Sequence, residues 1–293
     1  MPLPAVECTL GKYRAQEGLS ASQQGGALTV LWDGDNGSRL RMQLAVEAGT
    51  PTVRELAVEA RGANWVVLGP NLTPDFSVTT GIRRTNHGLP EEHRWDVYWD
   101  APLNNPQEVR RATAFYKADS CEVRTDGSRL EISYSGVEMG LFSGRLQYTV
   151  YKGTNLIRLE AVVKTEEPSV AYIYRAGWKG LGLGELERVT WRDVGGHPQK
   201  YEFGGTANRD VVRLRAQNRL VVAEGKAGSI AAFPPPHQFF FARQLEINLG
   251  FVWYRKDSDA SFSIGVRQNE SHEGYNPVWI EKVWSLYNAP PGT

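Results

Sequence analysis

Apolar and polar residues alternate along much of this chain, and turn-forming residues interrupt the alternation at short intervals. Ala27–Trp32 and Arg39–Val46, for example, flank the polar stretch 33–38, which contains two glycines and an asparagine. Because successive side chains of a strand point to opposite faces, a period of two predicts strands that bury one face. The pattern therefore predicts an all-β protein built from antiparallel hairpins.

The stretch 112–165 carries the clearest hairpin signals. Turns at 125–127 (Thr-Asp-Gly) and 152–155 (Lys-Gly-Thr-Asn) separate alternating segments, which predicts a meander of consecutive antiparallel strands. Further strands are predicted at 188–193, 211–215, 219–224, 229–233, 244–254 and 261–267. Helical patterns are scarce: 90–95 is predicted as a helical turn, and 279–287 as a short helix or a strand.

Neither a linker-like segment nor a fixed-period repeat divides the sequence. A single β-sandwich domain over residues 1–293 is the simplest prediction, because all-β domains often reach this length. The alternative that the sequence is a fragment of a longer chain stays open. The N-terminus has no basic segment followed by an apolar one, so we expect no signal peptide in this chain. Localisation is left open, because a trimmed secreted or periplasmic protein would look the same.

Charge and composition narrow the range of partners. The chain has 33 basic and 33 acidic residues, which argues against bulk electrostatic binding of nucleic acid or an anionic membrane. No apolar run approaches the ~18 residues that a membrane-spanning helix needs. Two cysteines, Cys8 and Cys121, allow one disulfide, and their pairing stays open. The 9 tryptophans and 12 tyrosines favour carbohydrate, because sugar C–H faces pack on aromatic rings.

Two stretches carry a family resemblance. The first contains Gly81–Arg83, His87–Gly88 and Arg94–Trp95, and the second pairs Gly144–Tyr151 with Asn155–Ala161. Their order and spacing resemble the galactose mutarotase-like superfamily, which includes the aldose epimerases. The resemblance implies a large antiparallel β-supersandwich. It also implies a sugar site near His87, because the matching histidine of the epimerases orients or protonates the substrate.

The resemblance breaks down at a catalytic position. After the second pair of strands the family has an Asn-His pair followed by aromatic residues. Residues 172–179 here read Tyr-Ile-Tyr-Arg-Ala-Gly-Trp-Lys and contain no histidine. An aldose epimerase needs a general acid and a general base, so the resemblance implies a divergent member in which ordinary mutarotase activity is not expected.

The resemblance and the local chemistry together give two sets of candidate site residues. The candidate catalytic residues are His87, Tyr174, Arg175, His237 and Glu246. The candidate substrate-binding residues are Arg83, Arg84, Trp95, Trp178, Lys179, Arg243 and Arg267. A Tyr–Arg pair fits β-elimination, in which the arginine stabilises a uronate carboxylate and the tyrosine shuttles a proton.

Each candidate has a plainer interpretation. The turn around His87 is also typical of a protein surface. Tyr172, Tyr174 and Trp178 also fit an aromatic ladder between strands. Three prolines at 234–236 present His237 at a rim, and Glu246 lies on a polar strand face that is equally typical of a solvated sheet.

These observations predict a carbohydrate-active enzyme that cleaves a glycosidic bond, as a glycoside hydrolase or a polysaccharide lyase. The alternatives are a non-catalytic carbohydrate-binding or accessory domain and a divergent sugar epimerase. We expect no cofactor and no metal, because His87 and His93 have no third ligand nearby. The expected partner is an oligo- or polysaccharide, and the arginines near the resemblance motifs make an anionic one compatible with the sequence.

Overall fold

The computed structural model describes residues 6–82, 109–234, 250–268, 287–289 and 291–292. Strands dominate these residues, with two short 3-10 turns at Asp35–Gly37 and Gln217–Arg219, so the all-β prediction is confirmed. The strands in chain order are β1 (Cys8–Lys12), β2 (Leu19–Gln24), β3 (Ala27–Asp33), β4 (Arg39–Glu47), β5 (Thr50–Glu59), β6 (Trp65–Ile82), β7 (Arg110–Thr113), β8 (Phe115–Tyr116), β9 (Cys121–Asp126), β10 (Arg129–Met139), β11 (Phe142–Tyr151), β12 (Ile157–Lys164), β13 (Val170–Gly182), β14 (Arg188–Arg192), β15 (Pro198–Glu202), β16 (Val212–Leu214), β17 (Val221–Glu224), β18 (Ser229–Ala232), β19 (Val252–Lys256), β20 (Ser261–Arg267) and β21 (Tyr287–Ala289).

The described strands form three sheets. A six-stranded sheet has the order β1-β9-β10-β11-β12, with β8 also paired to β10. An 11-stranded sheet, called the long sheet below, has the order β16-β19-β20-β13-β6-β5-β4-β3-β2, with β21 on β13 and β7 on β6. A small sheet of four strands has the order β15-β14-β17-β18. All of these pairs are antiparallel except β1 with β9.

The predicted hairpins are present. β3 and β4 pair directly across the turn 34–38, and the meander β9-β10-β11-β12 follows the turns predicted at 125–127 and 152–155. Gly127 and Gly153 have φ of 58° and 83°, the left-handed conformation that glycine adopts most easily. The strands predicted at 188–193, 211–215, 219–224, 229–233 and 261–267 correspond to β14, β16, β17, β18 and β20. Only the C-terminal part of the strand predicted at 244–254 is described, as β19, and the helical turn predicted at 90–95 lies outside the described residues.

The main core lies between the six-stranded sheet and one face of the long sheet, which we call the inner face. Trp32 of the long sheet is fully buried, and its indole Nε1 donates to the carbonyl of Thr154 at 3.0 Å. Tyr148 of the six-stranded sheet is also fully buried and donates its hydroxyl to the carbonyl of Pro51 at 3.2 Å. Apolar burial of this kind, at roughly 25 cal/mol per Å², is the main source of stability.

The small sheet covers a second part of the inner face through aromatic contacts. Tyr201 stacks on Tyr254 at 5.0 Å between ring centroids, and Phe203 lies 4.3 Å from Phe262. Tyr254 and Phe262 belong to β19 and β20, so these two strands are covered on the inner side by the small sheet. The opposite face of the long sheet, which we call the outer face, lies away from both of the other described sheets.

Cys8 and Cys121 form a disulfide. They are directly opposite each other in the parallel pair of β1 and β9, and they are 113 residues apart in sequence. The pairing that the sequence left open is thus present, and it links β1 covalently to its neighbour β9 in the six-stranded sheet.

Candidate functional site

Alternation along β13 divides the candidate residues between the two faces of the long sheet. Tyr172, Tyr174 and Trp178 share one face, as predicted for a strand at this position. Tyr172 contacts Phe142 at 5.6 Å between ring centroids, and Trp178 contacts Tyr148 at 5.9 Å. Tyr172 and Trp178 therefore pack in the interior against the six-stranded sheet, in agreement with the aromatic-ladder interpretation.

Arg175 and Lys179 leave β13 on the outer face. Arg267 is directly opposite Arg175 on β20, so it lies on the same face. Tyr174 precedes Arg175 and points to the inner face, because consecutive residues of a strand alternate. The predicted Tyr–Arg pair is therefore not brought together on one face, whereas Arg175, Lys179 and Arg267 are.

A row of four residues crosses the outer face at its centre. Trp253, Gly265, Gly177 and Asp75 are successive register partners on β19, β20, β13 and β6. A Cβ on Gly177 or Gly265 would lie 2.8 Å or 2.7 Å from the Cζ2 atom of Trp253, so the indole ring covers both glycines. The indole is fully buried and donates its Nε1 to the carbonyl of Val266 at 3.0 Å. The indole ring of Trp253 therefore occupies the centre of this face, beside the carboxylate of Asp75. We call this ring the aromatic floor.

Cationic side chains lie on both sides of this floor. Arg267 and Arg175 occupy the row on one side, and Arg255 and Lys179 occupy the row on the other. The Arg175 guanidinium lies 5.2 Å from the centroid of the Trp253 ring, within the range of a cation–π interaction. Stacking on a fixed ring restricts the positions that the guanidinium can take.

β16 and the turn after it add two arginines. Arg213 is the register partner of Trp253, and Arg219 lies 5.0 Å from the centroid of the Phe251 ring. Asn218 and Arg219 have φ of 60° and 52°, a left-handed conformation that costs a non-glycine residue about 1–3 kcal/mol. The fold thus holds Arg219 in place at an energetic cost.

Among the described residues, six cationic side chains lie around Trp253 and the neighbouring Phe251, and we call them the cationic cluster. Its members are Arg175, Lys179, Arg213, Arg219, Arg255 and Arg267. The carboxylates of Asp75 and Asp257 contact Arg175 and Arg255 within it.

Asp75 links the two arginines that flank the floor. Its side chain is 7% exposed, with one oxygen 3.2 Å from an Nη of Arg255 and the other 3.6 Å from an Nη of Arg175. Arg255 also donates its Nε to Asp257 at 2.6 Å, and Asp257 accepts a hydrogen bond from Ser263. Burial lowers the pKa of Arg255, but the hydrogen bond to Asp257 and the charges of Asp257 and Asp75 outweigh it and raise that pKa. Arg255 is therefore charged at any physiological pH.

Arg175 has unused hydrogen-bonding capacity. Its Nε is buried and has no hydrogen-bond acceptor among the residues that the structure describes. A buried donor of a charged group without an acceptor is costly, so such groups are rare in folded proteins. Arg175 therefore carries one buried donor without an acceptor, beside Trp253 and Asp75.

Seven predicted site residues lie outside the described residues, so their predicted roles stay predictions. They are Arg83, Arg84, His87, Trp95, His237, Arg243 and Glu246. The sequence analysis missed Asp75, Trp253 and Arg255. Phe251, Trp253 and Arg255 do follow a period of two, but this pattern does not reveal which other strands share their face.

Within the described part of the chain, no group of three or more His, Cys, Asp or Glu side chains is placed to hold a metal ion. No helix there is both long and apolar enough to cross a membrane. No family model matches the chain, and no curated protein matches it either. The fold and site define a class of protein. It is an all-β sandwich whose 11-stranded sheet carries arginine and lysine side chains around a buried tryptophan on its outer face.

Proposed function

We propose that this protein is a carbohydrate-active enzyme that cleaves a glycosidic bond, and that the saccharide binds on the outer face of the long sheet. The observation that supports this most strongly is the Trp253–Asp75 row with Arg175 and Arg255 beside it. Arginine donors on fixed strands suit the hydroxyl and acidic groups of a saccharide. The resemblance noted in the sequence supports the same class of substrate.

Two reactions fit this class. In hydrolysis, an acid protonates the leaving oxygen while water adds to the anomeric carbon and loses a proton to a base. In β-elimination from a uronate, a base removes the C5 proton, its electron pair forms the C4–C5 double bond, and the C4–oxygen bond breaks as that oxygen gains a proton. Arg175 and Arg255 would neutralise the uronate carboxylate in this second reaction. His87, His237 and Glu246 are the predicted acids and bases for either one.

A non-catalytic carbohydrate-binding domain is the second candidate, and one observation favours it. The carboxylates of Asp75 and Asp257 are already engaged, Asp75 with Arg175 and Arg255, and Asp257 with Arg255 and Ser263. A carboxylate held in this way is a better positioning group than a proton donor. This candidate predicts saturable glycan binding without product.

The test is product release from a panel of neutral and acidic glycans. Reducing ends report both reactions, and the ultraviolet absorbance of an unsaturated uronate reports elimination alone. Anomer interconversion of free sugars, followed in parallel, tests for the epimerase alternative. We expect turnover that falls at least about tenfold in Arg175→Gln, since a hydrogen bond to a charged group is worth about 1.5–3 kcal/mol.

Arg145→Gln is the matched control, because Arg145 is an exposed arginine on β11 of the six-stranded sheet. Its turnover should equal that of the unmodified protein. Equal turnover in the two variants would show that the outer face of the long sheet does not bind the substrate. Binding without any product would favour the second candidate.

A further inference from the structure

We infer that the edge strand β12 is a dimerisation surface, on which a second copy of this chain pairs its own β12 around a two-fold axis at Leu159. The six-stranded sheets of the two copies then form one continuous sheet. This inference goes beyond the proposed function, because it concerns the other layer of the sandwich and needs no bound saccharide. It is carried by the regularity of the edge strand, its exposed apolar residues and its charge pattern.

The regularity of β12 is the first argument. This strand extends over 8 residues, contains no proline and pairs with β11 without a shift in register. Among the described strands it has β11 as its one partner, and the other edge strands there are shorter. β15 begins with Pro198, and the pairing of β1 with β9 is irregular. A long, regular edge presents a row of unpaired N–H and C=O groups, which is a template for another strand.

The side of β12 that faces the long sheet leaves the core partly uncovered. Tyr148 and Val150 of the neighbouring β11 are fully buried, whereas their register partners Leu159 and Ile157 are only half-buried. The core of the sandwich therefore ends in accessible apolar surface at this edge. A second strand placed beside β12 removes that surface from water, which is favourable.

Two exposed apolar side chains on the other side of the strand are the second argument. Val162 is 36% exposed, and Leu156, which directly precedes β12, is 48% exposed. When Leu159 lies on the two-fold axis, antiparallel pairing places Leu156 of each copy opposite Val162 of the other. Both exposed residues therefore gain an apolar neighbour from a single register.

The charge pattern of β12 is the third argument, and it selects the same register. Arg158 and Glu160 already pair within one chain, so the centre of the strand is neutral and repels no second copy. With Leu159 on the axis, Arg158 of each copy is opposite Glu160 of the other, and opposite charges directly across a sheet are stabilising. The adjacent registers, centred on Arg158 or on Glu160, place like charges opposite each other, which is destabilising.

The match of β12 with itself favours a second copy over a strand from a different protein. A two-fold interface requires that one surface be complementary to itself. β12 meets this requirement twice around Leu159, once in the charged pair of Arg158 with Glu160 and once in the apolar pair of Leu156 with Val162. A strand of another sequence needs no such reciprocity.

Sedimentation velocity of the full chain over a range of concentrations tests for the dimer. We expect a reversible dimer that dissociates on dilution. Val162→Lys should raise the dissociation constant about tenfold or more, because it places a charge opposite Leu156 of the second copy. Lys12→Glu is the control, since Lys12 is exposed on β1 at the opposite edge of the same sheet, and it should leave the dissociation constant unchanged. Circular dichroism checks that each variant is folded.

Charge reversal tests the pairing across the axis. Arg158→Glu and Glu160→Arg should each weaken the dimer, because like charges then face each other. An equal mixture of the two variants should form a heterodimer, in which positions 158 and 160 again carry opposite charges across the axis. Mixing cannot reverse an effect that either substitution has on the fold of its own chain, so this result is specific to the interface.

Cysteine crosslinking tests the register. The two native cysteines are joined in the disulfide, so an introduced cysteine is the one free thiol of the chain. Leu159→Cys should crosslink two copies under mild oxidation, because position 159 faces itself across the axis. Ala161→Cys is the matched control on the same side of the same strand. Two copies of position 161 are separated by four residues along the strand, about 13 Å, so they should not crosslink.

The outcomes decide the inference without reference to the proposed function. A dimer that Val162→Lys weakens and that the mixed charge variants restore supports it. A monomer at every concentration up to about 100 µM overturns it, and so does a dimer that neither Val162→Lys nor charge reversal weakens. Crosslinking through Ala161→Cys in place of Leu159→Cys overturns the register. The glycan assays of the proposed function can succeed or fail in each of these cases.

Discussion

Gly177 and Gly265 are directly opposite each other on β13 and β20, and the indole ring of Trp253 lies across both. A side chain at either position would meet the ring and the carbonyl of the facing strand. The two glycines therefore determine how close Trp253 lies to the sheet. Through Trp253 they also determine where Arg175 can place its guanidinium.

Gly177→Ala should destabilise the fold. The added Cβ would meet the backbone oxygen of Ile264 and lie 2.8 Å from Trp253, and a backbone atom in a paired strand cannot move aside easily. We expect a loss of about 1–3 kcal/mol in the free energy of unfolding, measured with urea. Gly184→Ala is the control, because its Cβ would have no neighbour within 4 Å, and its effect should stay within about 0.5 kcal/mol. Equal effects of the two substitutions would contradict the close approach of Trp253.

Asp75→Asn should destabilise the protein because it leaves Arg175 and Arg255 facing each other without their shared anion. Removing one partner of a buried ion pair costs about 3–5 kcal/mol, and the partial exposure of both arginines reduces this to about 2 kcal/mol. Glu138→Gln is the control, since Glu138 and Lys117 form an exposed pair whose side chains are 60% and 62% exposed. Chemical unfolding of both variants measures the difference. A loss no larger than that of the control would show that Asp75 does not hold the two arginines.

The disulfide between Cys8 and Cys121 should contribute strongly to stability. It closes a loop of 113 residues, and the chain-entropy model gives about 4–5 kcal/mol for a loop of this length. Unfolding with and without a reducing agent measures the contribution. The double variant Cys8→Ala with Cys121→Ala should be less stable and insensitive to the reducing agent. Two free thiols in the unreduced native protein would contradict the pairing.

Four buried tyrosines should make the protein sensitive to alkali. Burial, together with the charge of Tyr201, raises the pKa of Tyr254 to about 12, and burial also raises the pKa of Tyr116, Tyr134 and Tyr148. A folded-state pKa above the unfolded value of 10.0 means that the stability is complete below pH 10 and falls as the pH rises towards 12.

Phenolate absorbance followed against pH, in native buffer and in urea, measures this difference. We expect only part of the 12 tyrosines to ionise in the native protein before it unfolds. Tyr254→Phe should lessen the alkaline loss of stability. Titration of all tyrosines at one pH in both solvents would contradict their burial.

Local features of the fold were predictable from the sequence, because a hairpin depends only on its own turn and its two flanking strands. The turns at 125–127 and 152–155 are examples, and both are correct. β6 was not predicted, since Pro70 and Pro74 are residues that usually interrupt a strand, yet it continues unbroken from Trp65 to Ile82. The strand is held by its pairing with β13 on one side and β5 on the other. Neither partner can be recognised from the local sequence around the two prolines.

The site was only partly predictable, because its residues come from strands that are far apart in sequence. Arg175, Lys179 and Arg267 were singled out by their local chemistry, and they do share a face. Asp75 and Trp253 join them only because β6, β13, β20 and β19 are neighbours in the long sheet, although they are far apart in sequence. Alternation reveals the face of a residue within its own strand. It does not reveal which strand lies beside it.

The most direct measurement is a crystal structure of the protein with the oligosaccharide that binds most tightly. The account predicts a saccharide on the outer face of the long sheet, with a saccharide oxygen within hydrogen-bonding distance, about 3 Å, of Arg175 or Arg255. A saccharide bound on the six-stranded sheet or on the small sheet, with Arg175 and Arg255 unoccupied, would contradict it.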